Sequence, residues 1–219
     1  MQKQQKRGRA MPQHGGGPAQ QVRIIGGQWK RTPLPVLDAE GLRPTPDRVR
    51  ETVFNWLNHL LEGSWDNVRC LDLFAGTGAF GFEAASRGAA SVLMVENYLP
   101  AVKRMEASKA KLNAEQVTIL QGDAGRIAHS LVERRDGEHA RFDVIFLDPP
   151  YHHGWLAKML PLCERLLEVG GLVYAEAEQS LDEENGPDWL RPWESVRANK
   201  AGMVFYHLLR RKAVPEIQA

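Results

Sequence analysis

Two short runs in this sequence combine residue types that could do chemistry. One is Asp148-Pro149-Pro150-Tyr151, which directly follows the apolar run Phe142 to Leu147. A carboxylate, a rigid backbone carbonyl and an aromatic face in consecutive residues suit the task of holding an aromatic amine. The lone pair of such an amine is delocalised into its ring, and the nitrogen must turn tetrahedral as it attacks an electrophilic carbon. Two acceptors facing the NH2 group, the Asp148 carboxylate and the Pro149 carbonyl, favour that change. Pro149 and Pro150 stiffen the loop, and Tyr151 offers a surface on which a base can stack.

The other run is Leu71-Asp72-Leu73-Phe74-Ala75-Gly76-Thr77-Gly78, in which an apolar strand pattern ends in an aspartate and opens into a glycine turn. Glycine lets the backbone approach a ligand closely. Gly76, Gly78 and Gly81 satisfy the spacing G-x-G-x-x-G, and Glu96, at the end of the next apolar run, stands where an acidic residue can hold ribose hydroxyls. No Gly-Lys-Ser/Thr follows, so the loop is not a phosphate-gripping P-loop. The loop alone fits a nicotinamide-dependent dehydrogenase as well as an S-adenosylmethionine-dependent methyltransferase. The Asp148 run decides between them, because hydride transfer has no use for an amine clamp. The adjacent His152 and His153 lack a third ligand at a recognisable spacing, and no metal site is expected.

These residues need elements to position them. Val68 to Phe74, Ser91 to Val95, Val117 to Leu120, Phe142 to Leu147 and Gly171 to Ala177 read as buried strands separated by helical stretches. Continuous apolar strands alternating with helices predict a parallel sheet covered on both faces, with ligands at the carboxyl ends of the strands. Ser195 to Asn199 and Met203 to Leu209 are joined by Lys200-Ala201-Gly202, a link short enough only for an antiparallel hairpin. Upstream, Val22 to Leu37 predicts a small strand pair with Gly26-Gly27 at its turn. A helix is expected from Thr45, with Thr45 as its cap, Pro46 in its first turn and Asp47 near the positive end of its dipole. Val49, Val53, Trp56, Leu57 and Leu60 form its apolar stripe, which leaves Arg48 and Arg50 off the stripe and available for function.

With 43% apolar and 25% charged residues and a net charge of +1, the chain has the composition of one α/β domain with a small appendage. Cys70 and Cys163 form neither a disulfide framework nor a ligand cluster, which fits a reducing cytoplasm. No stretch approaches the roughly 18 apolar residues of a membrane span, and the N-terminus has no signal-peptide core. Up to Arg31 every charged side chain is a lysine or an arginine. That asymmetry points to a polyanion, with Arg23, Lys30, Arg31, Arg43, Arg48 and Arg50 as candidate phosphate contacts.

Both chemical runs resemble the class I S-adenosylmethionine-dependent methyltransferases, in the amino-methylating branch with an Asp/Asn-Pro-Pro-aromatic motif. Arg23-Ile24-Ile25-Gly26-Gly27-Gln28-Trp29, the run from Arg43 to Leu57, and Val173-Tyr174-Ala175-Glu176-Ala177-Glu178 are similar to the RsmD family, which methylates N2 of a guanine in bacterial small-subunit (16S) ribosomal RNA. The similarity extends from Val22 to Arg210. It implies a Rossmann-like, seven-stranded, mostly parallel sheet with the C-terminal hairpin inserted antiparallel. It also implies a cofactor lying over Asp72, Phe74, Ala75, Gly76, Thr77 and Gly78, its ribose at Glu96 and Asn97, and its adenine against Asp123 and the Ala124 backbone. Asp148, Pro149, Pro150 and Tyr151 become the catalytic loop. The organisation expected is a basic tail at 1–21, an RNA-binding hairpin and helix at 22–62, the methyltransferase domain at 63–212 and a short tail at 213–219. The partner expected is ribosomal RNA or an assembling small subunit, met by a cytoplasmic monomer. The rivals are an adenine N6 methyltransferase acting on DNA or RNA, a nicotinamide-dependent dehydrogenase, and a catalytically idle RNA-binding assembly factor.

Overall fold

The computed structural model describes residues 22–36, 45–133, 141–182 and 185–213. The tail expected at 1–21 and Arg43 lie outside them, as does all but Ala213 of the tail at 213–219. Two antiparallel strands, β1 (Val22–Arg23) and β2 (Pro33–Leu34), precede helix α1 (Asp47–Leu60). The alternation then runs β3 (Arg69–Asp72), α2 (Ala79–Ser86), β4 (Ser91–Glu96), α3 (Leu99–Leu112), β5 (Val117–Gln121), α4 (Ala124–Glu133), β6 (Phe142–Leu147), α5 (Trp155–Leu166) and β7 (Leu167–Ala177). It closes with the hairpin β8 (Trp193–Ala201) and β9 (Val204–Arg211).

The seven-stranded sheet has the order β5-β4-β3-β6-β7-β9-β8, parallel from β5 to β7 with β9 inserted antiparallel between β7 and β8. This is the architecture that the resemblance implied. The chain winds from β3 outward through β4 to β5, then returns to β6 on the other side of β3. The winding therefore reverses between β3 and β6, and a crevice for ligands opens beside their carboxyl ends. Leu147 stands opposite Ala175 in the register, so Asp148 leaves β6 next to Glu176 of β7.

Strand residues alternate between two cores, as a sheet with covered faces requires. Cys70, Val92, Met94, Val144, Phe146 and Tyr174 face α1, α2 and α3, whereas Leu71, Leu73, Ile145, Leu147, Val173 and Ala175 face α4 and α5. Val22, Ile24, Leu34, Val49, Val53, Phe54 and Leu57 belong to the first of these cores, so the N-terminal segment is packed into the sheet's own interior.

The expected stripe of α1 holds, since Val49, Val53 and Leu57 are buried and Trp56 and Leu60 pack partly buried against the same core, but the buried face also takes in Phe54 and Arg50, so the expectation that Arg50 lies off it fails. The apolar residues span more than one face, and the charge of Arg50 made the wrong side look like the solvent side. Nor does Thr45 cap the helix: Pro46 occupies the cap position with no side-chain hydrogen bond to the helix end. The Thr45 hydroxyl is turned toward Asp148 and Glu176 at the ends of β6 and β7 instead.

Candidate active site

The carboxyl ends of β3, β4, β5, β6 and β7 line the crevice. Asp72 ends β3 and is almost fully buried, with the backbone of Phe74 and Gly81 close to its carboxylate. Its Oδ2 has no hydrogen-bond partner. Burial is the largest influence on this carboxyl and, with the nearby charge of Glu96, outweighs the favourable influence of the Phe74 and Gly81 backbone and pushes its pKa up to about 7. A buried, unpartnered carboxylate oxygen at a ligand crevice invites a cationic or hydrogen-bonding group.

The turn that follows is shaped by Gly76 (φ 54°) and Gly78 (φ 77°), both in left-handed conformations. A β-carbon on Gly78 would lie 2.7 Å from the Phe82 ring. Gly81 has a different task, since a β-carbon there would strike Met94 Sδ at 2.3 Å. It lets α2 lie against β4, which accounts for the third glycine of the dinucleotide-like spacing by packing alone. Glu96, at the end of β4, accepts from Gly76 N (2.8 Å) and Tyr98 N (2.7 Å), so its carboxylate is fixed beside the turn with lone pairs left for hydroxyl donors. Asn97 is exposed next to it. Asp123 follows β5 and accepts from Arg126 N (2.9 Å), capping the start of α4 at Ala124. Phe74 packs edge-on against Trp155 of α5, while Ala75 is buried and Thr77 partly exposed on the turn.

Asp148 lies across the crevice. Thr45 Oγ1 is 2.7 Å from Asp148 Oδ2 and 2.9 Å from Glu176 Oε1. The Tyr174 hydroxyl donates to the same Glu176 oxygen at 2.5 Å, and Tyr151, 38% exposed at the mouth, donates to Glu176 Oε2 at 3.4 Å. Asp148 retains some exposure, yet protein surrounds its carboxyl closely enough for desolvation to be the largest influence on it. With the charge of Glu176 next, desolvation holds Asp148 well above the usual carboxylate range, against the opposing hydrogen bond from Thr45. Pro149 is buried and Pro150 exposed, as a stiff loop leaving a sheet should be. Tyr151 is also raised, by burial and by Glu176.

Thr45 and Glu176 were not among the predicted site residues. A charged residue inside an apolar strand was the available signal for Glu176. Thr45 looked like a helix cap because Pro46-Asp47 follows it. His152 adopts a positive φ of 65° and pairs through Nδ1 with Glu178 Oε2 (2.8 Å), which anchors the exposed end of the loop. No group of three or more His, Cys, Asp or Glu suited to a metal occurs among the described residues.

The predicted basic residues separate. Lys30, Arg31 and Arg48 are exposed. Arg23 is exposed too, but its Nε contacts Asp47 Oδ2 at 2.9 Å. Arg50 corrects the sequence reading: its side chain is fully buried, donating to Asp47 Oδ1 (2.7 Å) and to the Arg23 carbonyl (2.8 Å). Buried behind α1, it cannot reach a phosphate, and its task is to hold β1 to the helix. The motif around Gly26-Gly27 is structural as well. Buried Glu83 accepts from Ile25 N (2.5 Å), Gly26 N (2.8 Å) and Arg87 Nε (2.8 Å), while Ser86 Oγ donates to the Gly26 carbonyl (2.6 Å). Gly27 has φ 72°, and a β-carbon there would lie 1.8 Å from the Ser86 carbonyl oxygen.

Residues 22–210 match the family model described as conserved hypothetical protein 95. Over 211 residues the chain is 38% identical to ribosomal RNA small subunit methyltransferase D of Escherichia coli, covering 95% of this chain and 98% of that protein. The protein of the same name from Haemophilus influenzae is 37% identical, covering 86% and 93%. The solved structure of the yhhF protein of Escherichia coli superposes with a TM-score of 0.72 at 34% identity, covering 89% of this chain and 99% of that one. Among the described residues no helix is long and apolar enough to cross a membrane.

Proposed function

Because the chain belongs to the family of the ribosomal RNA small subunit methyltransferase D proteins, we propose that it transfers a methyl group from S-adenosylmethionine to the exocyclic N2 of a guanine in small-subunit ribosomal RNA. The observation that carries this reading is the Asp148 carboxyl at the end of β6, held by Thr45 across the switch-point crevice from the unpartnered Asp72 oxygen. The donor carries an ammonium group, a ribose diol and an adenine, and these residues suit all three. Asp72 would hold the ammonium, Glu96 with Asn97 the diol, and Asp123 with Ala124 the adenine edge. When bound, the sulfonium supplies an electrophilic methyl carbon and needs no Lewis acid.

The work left to the chain is mainly positioning. The Pro149 carbonyl and Asp148 accept the two amine hydrogens and turn the lone pair toward the methyl carbon, while Tyr151 stacks on the base. A carboxyl whose pKa is lifted by burial is also a better proton acceptor than an ordinary one once it is ionised. A guanine must leave its stack to enter, which costs a few kcal/mol when it is paired. Exposed Arg23, Lys30, Arg31 and Arg48, with Arg43, supply phosphate contacts along the N-terminal segment. Asp72, Glu96, Thr45, Asp148 and Glu176 all come from one copy of the chain, so a monomer is sufficient.

Mapping modified bases in small-subunit ribosomal RNA from cells with and without the protein tests this reading. A single guanine that loses its N2-methyl mark with the protein is the expected result; an unchanged guanine pattern, or loss at an adenine N6, refutes it.

A further inference from the structure

Thr45 has one hydroxyl proton, yet its oxygen lies 2.7 Å from one carboxyl oxygen, on Asp148, and 2.9 Å from another, on Glu176. A single proton satisfies only one of these contacts. Two bare carboxylates would leave the other as an oxygen-oxygen repulsion in a site shielded from water. The geometry is satisfied when one carboxyl is protonated and donates back to the Thr45 oxygen. Resting on the methyl-transfer reading above, we propose that Thr45 is a proton relay between Asp148 and Glu176, and that these three side chains hold one shared proton whose position switches the amine clamp on.

In the resting triad the shared proton is on Asp148. When an amine N–H donates to Asp148, the Asp148 O–H gives its proton to Thr45 Oγ1 while Thr45 gives its own to Glu176 Oε1. Asp148 is now an ionised acceptor facing the substrate, and Glu176 is neutral. As the N–C bond forms and the S–C bond of the donor breaks, the nitrogen gains a positive charge. Its N–H proton then passes to the Asp148 carboxylate, and the N–H electron pair returns to nitrogen. The triad now holds two protons, and one leaves to water with the departing product. Thr45 and Glu176 are therefore positioning residues, acting on the substrate through Asp148. The groups facing Asp148 fit this role, since all are acids or hydroxyls: Glu176 and Tyr174 of β7, Asp72 at the end of β3, and Tyr151 of its own loop. None of them offers a cation to hold both carboxyls ionised, and Tyr174 already donates to Glu176 Oε1. Thr45 comes from the head of α1, so the N-terminal segment that carries the exposed arginines also completes the catalytic loop.

The test uses the full chain with Thr45→Val, Thr45→Ser and Glu176→Gln, each checked by calorimetry for unchanged affinity for S-adenosylhomocysteine. Thr45→Val removes the relay and the hydrogen bond that stabilises ionised Asp148. Turnover is expected to fall by on the order of 30-fold, and the acidic limb of the pH-rate profile to move to higher pH. Thr45→Ser restores both. Glu176→Gln removes the charge that opposes ionisation of Asp148, so the limb moves to lower pH even though turnover falls. A merely structural pair would lower turnover with the limb fixed, and an unmoved limb in both Thr45→Val and Glu176→Gln overturns the relay. A second readout needs no substrate. The infrared difference between the wild type and Asp148→Asn at neutral pH should contain a protonated-carboxyl C=O band, and its absence also overturns the proposal. Failure of the wild type to methylate RNA would count against the proposed function alone, because that band would still decide the triad.

Discussion

Asp72→Asn should make the substrate-free protein more stable above neutral pH while impairing cofactor binding. The Asp72 carboxyl rises from 3.8 to about 7 on folding, mainly because it is buried. An acid whose folded pKa lies above its unfolded value favours the native state fully below the unfolded value. That contribution disappears as pH rises through the folded value. Stability contributed by Asp72 is thus present below pH 3.8 and lost progressively up to about pH 7. A shift of roughly 3 units at 1.36 kcal/mol each amounts to about 4 kcal/mol across that window. Asparagine has no charge to bury and escapes this loss. Its NH2 group takes the place of the unpartnered Oδ2, and a buried donor without a partner costs about 1–3 kcal/mol. The net expectation is a variant about 1–3 kcal/mol more stable than wild type at pH 8. The difference should shrink or reverse at pH 4. Urea denaturation across pH 4 to 8 reads this difference directly. Saturating S-adenosylmethionine, whose ammonium would pair with the charged oxygen, should stabilise the wild type far more than the variant. A stability difference that stays flat with pH would refute the claim that burial lifts this group, and equal stabilisation by the cofactor would refute its role at the ammonium.

Asp148→Ala should cut methyl transfer about 100-fold, equivalent to roughly 2.7 kcal/mol of lost transition-state stabilisation, while calorimetry finds little change in affinity for S-adenosylhomocysteine. Arg50→Ala should lower stability by about 1–3 kcal/mol, because it leaves the Arg23 carbonyl without its donor while Asp47 keeps Arg23 as a partner, and denaturant melts will separate this from any effect on RNA. Replacing Arg23, Arg31 and Arg48 together with alanine should flatten the slope of log RNA affinity against log salt by roughly two units, at about 0.7 per single-strand contact; an unchanged slope in a binding titration would place recognition elsewhere. Gly27→Ala forces a β-carbon into the Ser86 carbonyl at a positive φ. Its melting midpoint should fall by several degrees, corresponding to at least about 1–3 kcal/mol.

Several features of this protein follow from local sequence. The alternation of apolar strands with helices, the glycine turn after Asp72 and the Asp148 loop after β6 depend on periodicity and backbone stereochemistry, and both act over a few residues. The short separation of the last two apolar runs allows only a hairpin for the same reason, although its turn is Gly202-Met203 rather than Lys200-Ala201-Gly202, because β8 pairs as far as Ala201. Tertiary structure decided which side chains share an environment. Arg50, which looked free on the polar side of α1, is buried where β1 packs against that face and accepts its hydrogen bond through the Arg23 carbonyl. Glu83 and Ser86, ordinary helix residues by pattern, hold the Ile25-Gly26 turn through contacts more than fifty residues apart in sequence. Thr45 had the right neighbours for a helix cap, yet its hydroxyl faces Asp148 and Glu176, 103 and 131 residues away. A hydroxyl bonds to whichever acceptor lies nearest, and for Thr45 that acceptor was brought near by the register of β6 with β7, which no local run of residues encodes.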